Sequence, residues 1–174
     1  TAARPEPICP AGAQFNYRNK MEASFTQLAD VEGTAGTTLG LHKAGRWDEV
    51  LEIQKCWLTT EVGNAIRNTM RDWAREEKLT AYDQETHEGY LRHLMIREGR
   101  NTGQALVQLV TNRGERFARE RLIAVLTAIP EVKSINWSIN EGVSETTELP
   151  PELLWGGDGT GEEIGCRGSR ARRD

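Results

Sequence analysis

Tyr90-Leu91-Arg92-His93-Leu94-Met95-Ile96 and Gln104-Ala105-Leu106-Val107-Gln108-Leu109-Val110-Thr111 are the two runs that decide how this chain folds. Both are rich in side chains that favour strands. Gly99-Arg100-Asn101-Thr102-Gly103 lies between them and supplies residues that tolerate turn conformations. The pair reads as a hairpin. Its first run carries apolar groups on both faces, as an inner strand does.

Working outward, residues 115–129 predict a helix, with Leu122, Val125, Leu126 and Ile129 as its buried stripe. Pro130 ends it. Residues 132–139 predict another strand, with Ile135, Trp137 and Ile139 on one face, and residues 153–155 a last short one. Upstream, residues 59–78 predict the clearest helix. Val62, Ile66, Met70 and Trp73 recur at helical spacing, and Thr59 or Thr60 caps the start, where Glu61 suits the positive end of the dipole. Residues 16–25 alternate, with Tyr17, Met21 and Phe25 on one face and Arg18, Lys20 and Glu22 on the other. Residues 39–43 and 49–53 are further strands, with Ala44-Gly45-Arg46 at the turn between them. The order predicts an α+β fold: a mainly antiparallel sheet with two principal helices packed on it.

Residues 1–14 hold Pro5, Pro7 and Pro10 and read as an extended lead-in. Residues 15–155 form the α+β domain. Residues 156–174 contain Gly-Gly-Asp-Gly-Thr-Gly and end in Arg167, Arg170, Arg172 and Arg173, a stretch expected to be poorly ordered. The glycine run lacks the Gly-Lys-Ser/Thr of a phosphate-cradling loop.

Charged residues make up 28% of the chain and the formal net charge is −4, so RNA or DNA binding requires a local patch. No apolar stretch is long enough to span a bilayer, so no membrane association is expected. The three cysteines, Cys9, Cys56 and Cys166, have no paired spacing. They form no disulfide framework, and a reducing, cytoplasmic setting fits them. His87 and His93 lack the spacing of a metal pair and read as core or loop histidines.

Four stretches carry a family likeness. They are Phe15-Asn16-Tyr17-Arg18-Asn19-Lys20-Met21-Glu22; Gly40-Leu41-His42-Lys43-Ala44-Gly45-Arg46-Trp47 with Val50 to Ile53 and Cys56; Thr86-His87-Glu88-Gly89-Tyr90-Leu91-Arg92-His93-Leu94; and residues 132–140. Together, and in this order, they resemble the central segment of the RNA uracil-5-methyltransferases. The resemblance implies methylation of uracil C5 in tRNA or ribosomal RNA, with S-adenosylmethionine as methyl donor. A cysteine thiolate adds to C6, the methyl group is transferred to C5, and a base removes the C5 proton. Family members are similar in carrying their cofactor loop and nucleophile downstream of the matched segment. The resemblance therefore implies no catalytic and no cofactor-binding residue in this chain, and an isolated chain that is inactive.

The resemblance also places Cys56 where many members hold the last ligand of a [4Fe–4S] cluster, a role confined to the intact parent because such a cluster needs four thiolates. Cys9 reads as linker. From residue 162 the chain departs from the family pattern, which points to a truncated or altered reading frame, and Cys166 is not read as the nucleophile. RNA is the implied partner, bound weakly by this chain alone. Its expected contacts are Arg18 and Lys20 on the exposed strand face, Lys43 and Arg46 at the neighbouring turn, and Arg92 beside the inner strand. Among the tryptophans, Trp73 and Trp137 read as core, and Trp47 is the one placed to meet RNA.

Overall fold

The computed structural model of the chain describes residues 13–28, 36–46, 48–114 and 116–157. In chain order the elements are β1 (Lys20–Leu28), β2 (Gly36–His42), β3 (Val50–Glu52), α1 (Glu61–Glu76), β4 (Leu91–Gly99), β5 (Gln104–Thr111), α2 (Arg119–Thr127), β6 (Val132–Ile139) and β7 (Glu152–Gly156). The strands form one sheet in the order β3-β2-β1-β4-β5-β6-β7. Every pairing in it is antiparallel except β5 with β6, which α2 connects. A helical crossover between neighbouring strands returns the chain to the same end, so that pair runs parallel. The expected α+β class is the one observed.

β4 is the inner strand. It is fourth of the seven, and its residues from Leu91 through Ile96 are all buried. Met21, Phe25, Leu39, Leu94, Ile96, Val107, Leu109, Ile135 and Trp137 share one face of the sheet and enter one core. Ile66, Met70 and Trp73 of α1 and Leu122 and Leu126 of α2 join the same core, so both helices cover that face. Phe117 lies edge-on to Trp73 at 5.7 Å and to Trp137 at 5.4 Å, tying helix to sheet.

α1 starts where the sequence indicates. The Thr60 side chain accepts from the Gly63 backbone N–H at 3.2 Å. Glu98 of β4 reaches the same turn and accepts from the Thr59 hydroxyl at 2.9 Å and from Thr60. A Cβ at residue 63 would stand 2.7 Å from the Glu98 carboxylate, so glycine is required for that approach.

The other face of the sheet is polar and carries Glu22, Ser24, His93, Gln108, Asn136 and Ser138. The connection from β6 to β7, residues 140–151, folds back across it. Gln108 Nε2 donates to the Thr147 carbonyl at 3.1 Å, Ser138 Oγ to that of Pro150 at 3.3 Å, and Thr147 Oγ1 to Glu22.

Several boundaries differ from expectation, two of them by more than a turn or a few strand residues. β1 begins at Lys20, and Tyr17 is 56% exposed instead of joining a buried face. The cause is local: the Asn16 N–H donates to the Trp57 carbonyl at 2.7 Å and the Arg18 N–H to that of Leu58 at 2.9 Å. Residues 16–18 thus pair with the loop before α1 and lie outside the sheet. α2 begins at Arg119. Among the described residues no helix is long and apolar enough to cross a membrane.

Candidate nucleic-acid interface

Register decides which cations meet. Lys20 stands opposite Arg97, and His42 opposite Val50, so one end of the sheet collects the start of β1, the β2–β3 turn and the end of β4. The N-terminus of α1 and residues 57–58 lie at this same end. Arg18, Lys20, Lys43 and Arg46, four of the five cations expected to meet RNA, therefore gather at one end, together with Arg97, Arg100 and Lys55.

They are not equally free. The Lys43 ammonium is 2.9 Å from Glu49, the Arg46 guanidinium 2.6 Å from Asp48, and the Lys20 ammonium 2.9 Å from Glu22. Asp48 is held down to about 2 by hydrogen bonds from Arg46 and its own backbone. The Arg100 guanidinium is bonded to the Asn16 carbonyl. Arg18 and Arg97 are exposed and have no side-chain partner among the described residues.

Aromatic surface lies among these cations. Phe15 is 60% and Trp57 58% exposed, and their rings meet edge to face with centroids 6.0 Å apart. The Lys55 ammonium stands 4.5 Å over the Trp57 ring. The two backbone hydrogen bonds from residues 16 and 18 fix this arm against residues 57–58. Exposed π-faces among free guanidinium groups suit a strand of nucleic acid, whose bases stack and whose phosphates need countercharge. Sequence reasoning selects Trp47, which lies outside the described residues, and passes over Trp57. The available signal is Lys55-Cys56-Trp57 just before a helix cap, outside any periodic apolar stripe.

Arg92 is a correction. It is 2% exposed and faces no solvent-borne phosphate. Its guanidinium donates to the carbonyls of Asn140, Gly142 and Ser144 at 2.5–3.1 Å, and it lies 4.1 Å over the Tyr82 ring. Arg92 fastens residues 140–151 to the sheet. His93, expected to be a satisfied core histidine, is buried with its Nε2 unpartnered. His87 takes a positive φ of 60°, and its Nδ1 is 2.9 Å from the Tyr82 hydroxyl.

Cys56 is buried and forms no disulfide among the described residues. Asn64 holds its backbone from both sides: the Cys56 N–H donates to Asn64 Oδ1 at 2.7 Å, and Asn64 Nδ2 donates to the Cys56 carbonyl at 3.0 Å. Cys9, Cys166 and the terminal arginines lie outside the described residues, as does most of the glycine run. Among the described residues no three potential metal ligands gather, and Cys56 is the lone cysteine. These residues do not by themselves fit a cluster that needs four thiolates.

No protein-family model matches the chain. Known proteins do. An uncharacterized RNA methyltransferase of Bacteroides thetaiotaomicron is 31% identical over 172 residues, covering 91% of this chain and 38% of the relative. The tRNA (uracil(54)-C(5))-methyltransferase of Pyrococcus horikoshii is 28% identical over 149 residues, covering 86% of this chain and 33% of the relative. The crystal structure of Pyrococcus abyssi tRNA (uracil-54, C5)-methyltransferase in complex with S-adenosyl-L-homocysteine shares the fold. It has a TM-score of 0.65 and 23% identity, over 84% of this chain and 33% of that one. The chain is thus similar, over most of its own length, to a segment of these RNA methyltransferases, and it spans about a third of the length of the relatives it matches.

Proposed function

We propose that this chain is the central, RNA-recognition segment of an enzyme that methylates uridine C5 in tRNA or ribosomal RNA. The observation that carries the reading is one end of the sheet, where Arg18 and Arg97 stand free and the exposed rings of Phe15 and Trp57 also lie. The names of its relatives support the RNA class and the reaction. In the whole enzyme, S-adenosylmethionine and the nucleophile reside in the remaining two thirds, and Cys56 is available as one ligand of an iron–sulfur cluster completed from elsewhere. The segment's own work is to hold the strand: guanidinium groups meet phosphates, and the aromatic pair receives an unstacked base.

The test is fluorescence anisotropy of a labelled single-stranded RNA titrated with the chain at several salt concentrations. Binding is expected to be weak and to fall steeply with salt. Replacing both Arg18 and Arg97 by Ala is expected to reduce the salt slope by about two, one for each phosphate contact. Binding indifferent to salt, or a double variant that binds like the parent, overturns the proposal.

A further inference from the structure

Lys55 differs from the other paired cations at the basic end, because its two partners are of different kinds. Its ammonium lies 2.6 Å from a carboxylate oxygen of Glu61 and 4.5 Å over the ring of Trp57. Lys20, Lys43 and Arg46 are each held by a carboxylate of their own strand or turn. Among the described residues, Lys55 is the one cation at this end that stands over an exposed ring. An ammonium at that height fills the space into which a base would stack. The pair with Glu61 therefore does two things at once. It keeps a cation from phosphate, and it keeps one face of Trp57 from bases.

The arrangement is easily undone when a strand arrives. The Glu61 side chain is 70% exposed and that of Lys55 42%, and an ion pair so exposed is weak. A phosphate offers Lys55 the same countercharge, and its four-carbon stem is flexible. Arg18 can bring a phosphate into this locality, since its backbone N–H donates to the Leu58 carbonyl. Glu61 is not stranded by the exchange. It is the first residue of α1, next to the Thr60 cap, where water and the positive end of the helix dipole both favour its charge. The Trp57 ring gives up an exposed cation–π contact and gains a base, which is the larger contact. Each of the three groups thus has a second partner once RNA is present.

We infer that Glu61 gates the aromatic end of the interface: it holds Lys55 over Trp57 in the free chain, and RNA binds by drawing Lys55 to a phosphate and laying a base where the ammonium stood. The inference rests on the RNA reading and adds to it the residue that sets how readily the ring opens.

The experiment uses the whole chain and a fluorescein-labelled single-stranded oligoadenylate, with anisotropy read at several salt concentrations. Glu61→Gln is expected to bind about threefold tighter, the scale of one exposed ion pair that no longer has to be broken. Lys55→Ala is expected to lower the salt slope by about one. Adding Glu61→Gln to Lys55→Ala is expected to change nothing further. A second measurement needs no RNA. In the free chain, the Trp57 indole N–H resonance is expected to move in Glu61→Gln and in Lys55→Ala alike, because each takes the ammonium off the ring. Overlaid melting curves are expected for both variants, whose replaced side chains are exposed. A Glu61→Gln chain that binds no tighter, or an indole resonance that moves in neither variant, overturns the gate. So does a gain that survives Lys55→Ala, which marks Glu61 as a simple repelling charge. In each of these cases salt-sensitive binding through Arg18 and Arg97 leaves the RNA reading standing. A chain that binds no RNA at low salt removes that reading, and the gate with it.

Discussion

Burial of His93 makes the stability of this chain fall with acid in a window set by one residue. The imidazole is held neutral, its pKa lowered from 6.5 to about 4, first by burial and then by Arg92 and His42, with Glu22 opposing them. In the unfolded chain the same group takes its proton near 6.5, so between these values the unfolded state binds more protons. Stability therefore rises with pH across the window and is lost as pH falls from 6.5 toward 4. Each tenfold difference in proton affinity between the two states is worth about 1.4 kcal/mol, which makes the full effect about 3 kcal/mol. About 2 kcal/mol of it is lost between pH 7 and pH 5. Glu22, Glu52 and Asp83 have lowered folded pKa values, so their contributions are lost only in the more acidic range where carboxylates take protons. The assay is urea unfolding at pH 7, 6 and 5, with the denaturant slope checked for constancy. His93→Gln, which cannot titrate, is expected to flatten the dependence over this range. A wild-type midpoint that does not move, or a variant that keeps the full slope, refutes the reasoning.

Two further outcomes follow from the geometry. Trp57→Ala is expected to weaken RNA binding by about 1–3 kcal/mol, the scale of one base–aromatic contact, while the thermal melting point stays unchanged because the ring is 58% exposed; anisotropy and melting curves read the two together. Arg92→Lys keeps the charge and loses the planar fork that reaches three carbonyls, so it is expected to destabilise the chain by about 2–4 kcal/mol and to open residues 141–148 to limited proteolysis.

The parts of the fold legible in the sequence are those whose burial is one-sided and periodic. α1 shows a 3.6-residue stripe and a threonine cap, and both appear in the structure. β4 shows itself as an inner strand because its apolar groups fill both faces. The parallel pairing of β5 with β6 is implicit in the helix between them, which forces a crossover. Arg92 is misplaced by sequence reasoning for a physical reason. A cation in a strand reads as reaching solvent, but residues 140–151 cover its face, and nothing periodic encodes the path of an irregular segment. Ser24, His42 and His93 cannot be grouped from spacing. They are brought together by the register of three strands, with separations of 18 and 69 residues along the chain.

The net charge of −4 is a poor guide to what this molecule can bind. Many of its cations are neutralised close by. Arg71 and Arg75 meet Glu52, Arg113 meets Glu141, Arg119 meets Glu152, and Arg121 meets Glu76 and Glu77. The exposed pairs among these contribute little to stability, but all of them cancel the field that a polyanion would feel. Among the described residues Arg18 and Arg97 are exposed cations that escape such pairing, and they lie at the end of the sheet where residues 16–18 meet the loop that carries Trp57. On the proposed reading, attraction to RNA is short in range and acts where such exposed, unpaired cations lie. On that reading, the backbone of an RNA strand is drawn to the end of the sheet that carries Arg18 and Arg97.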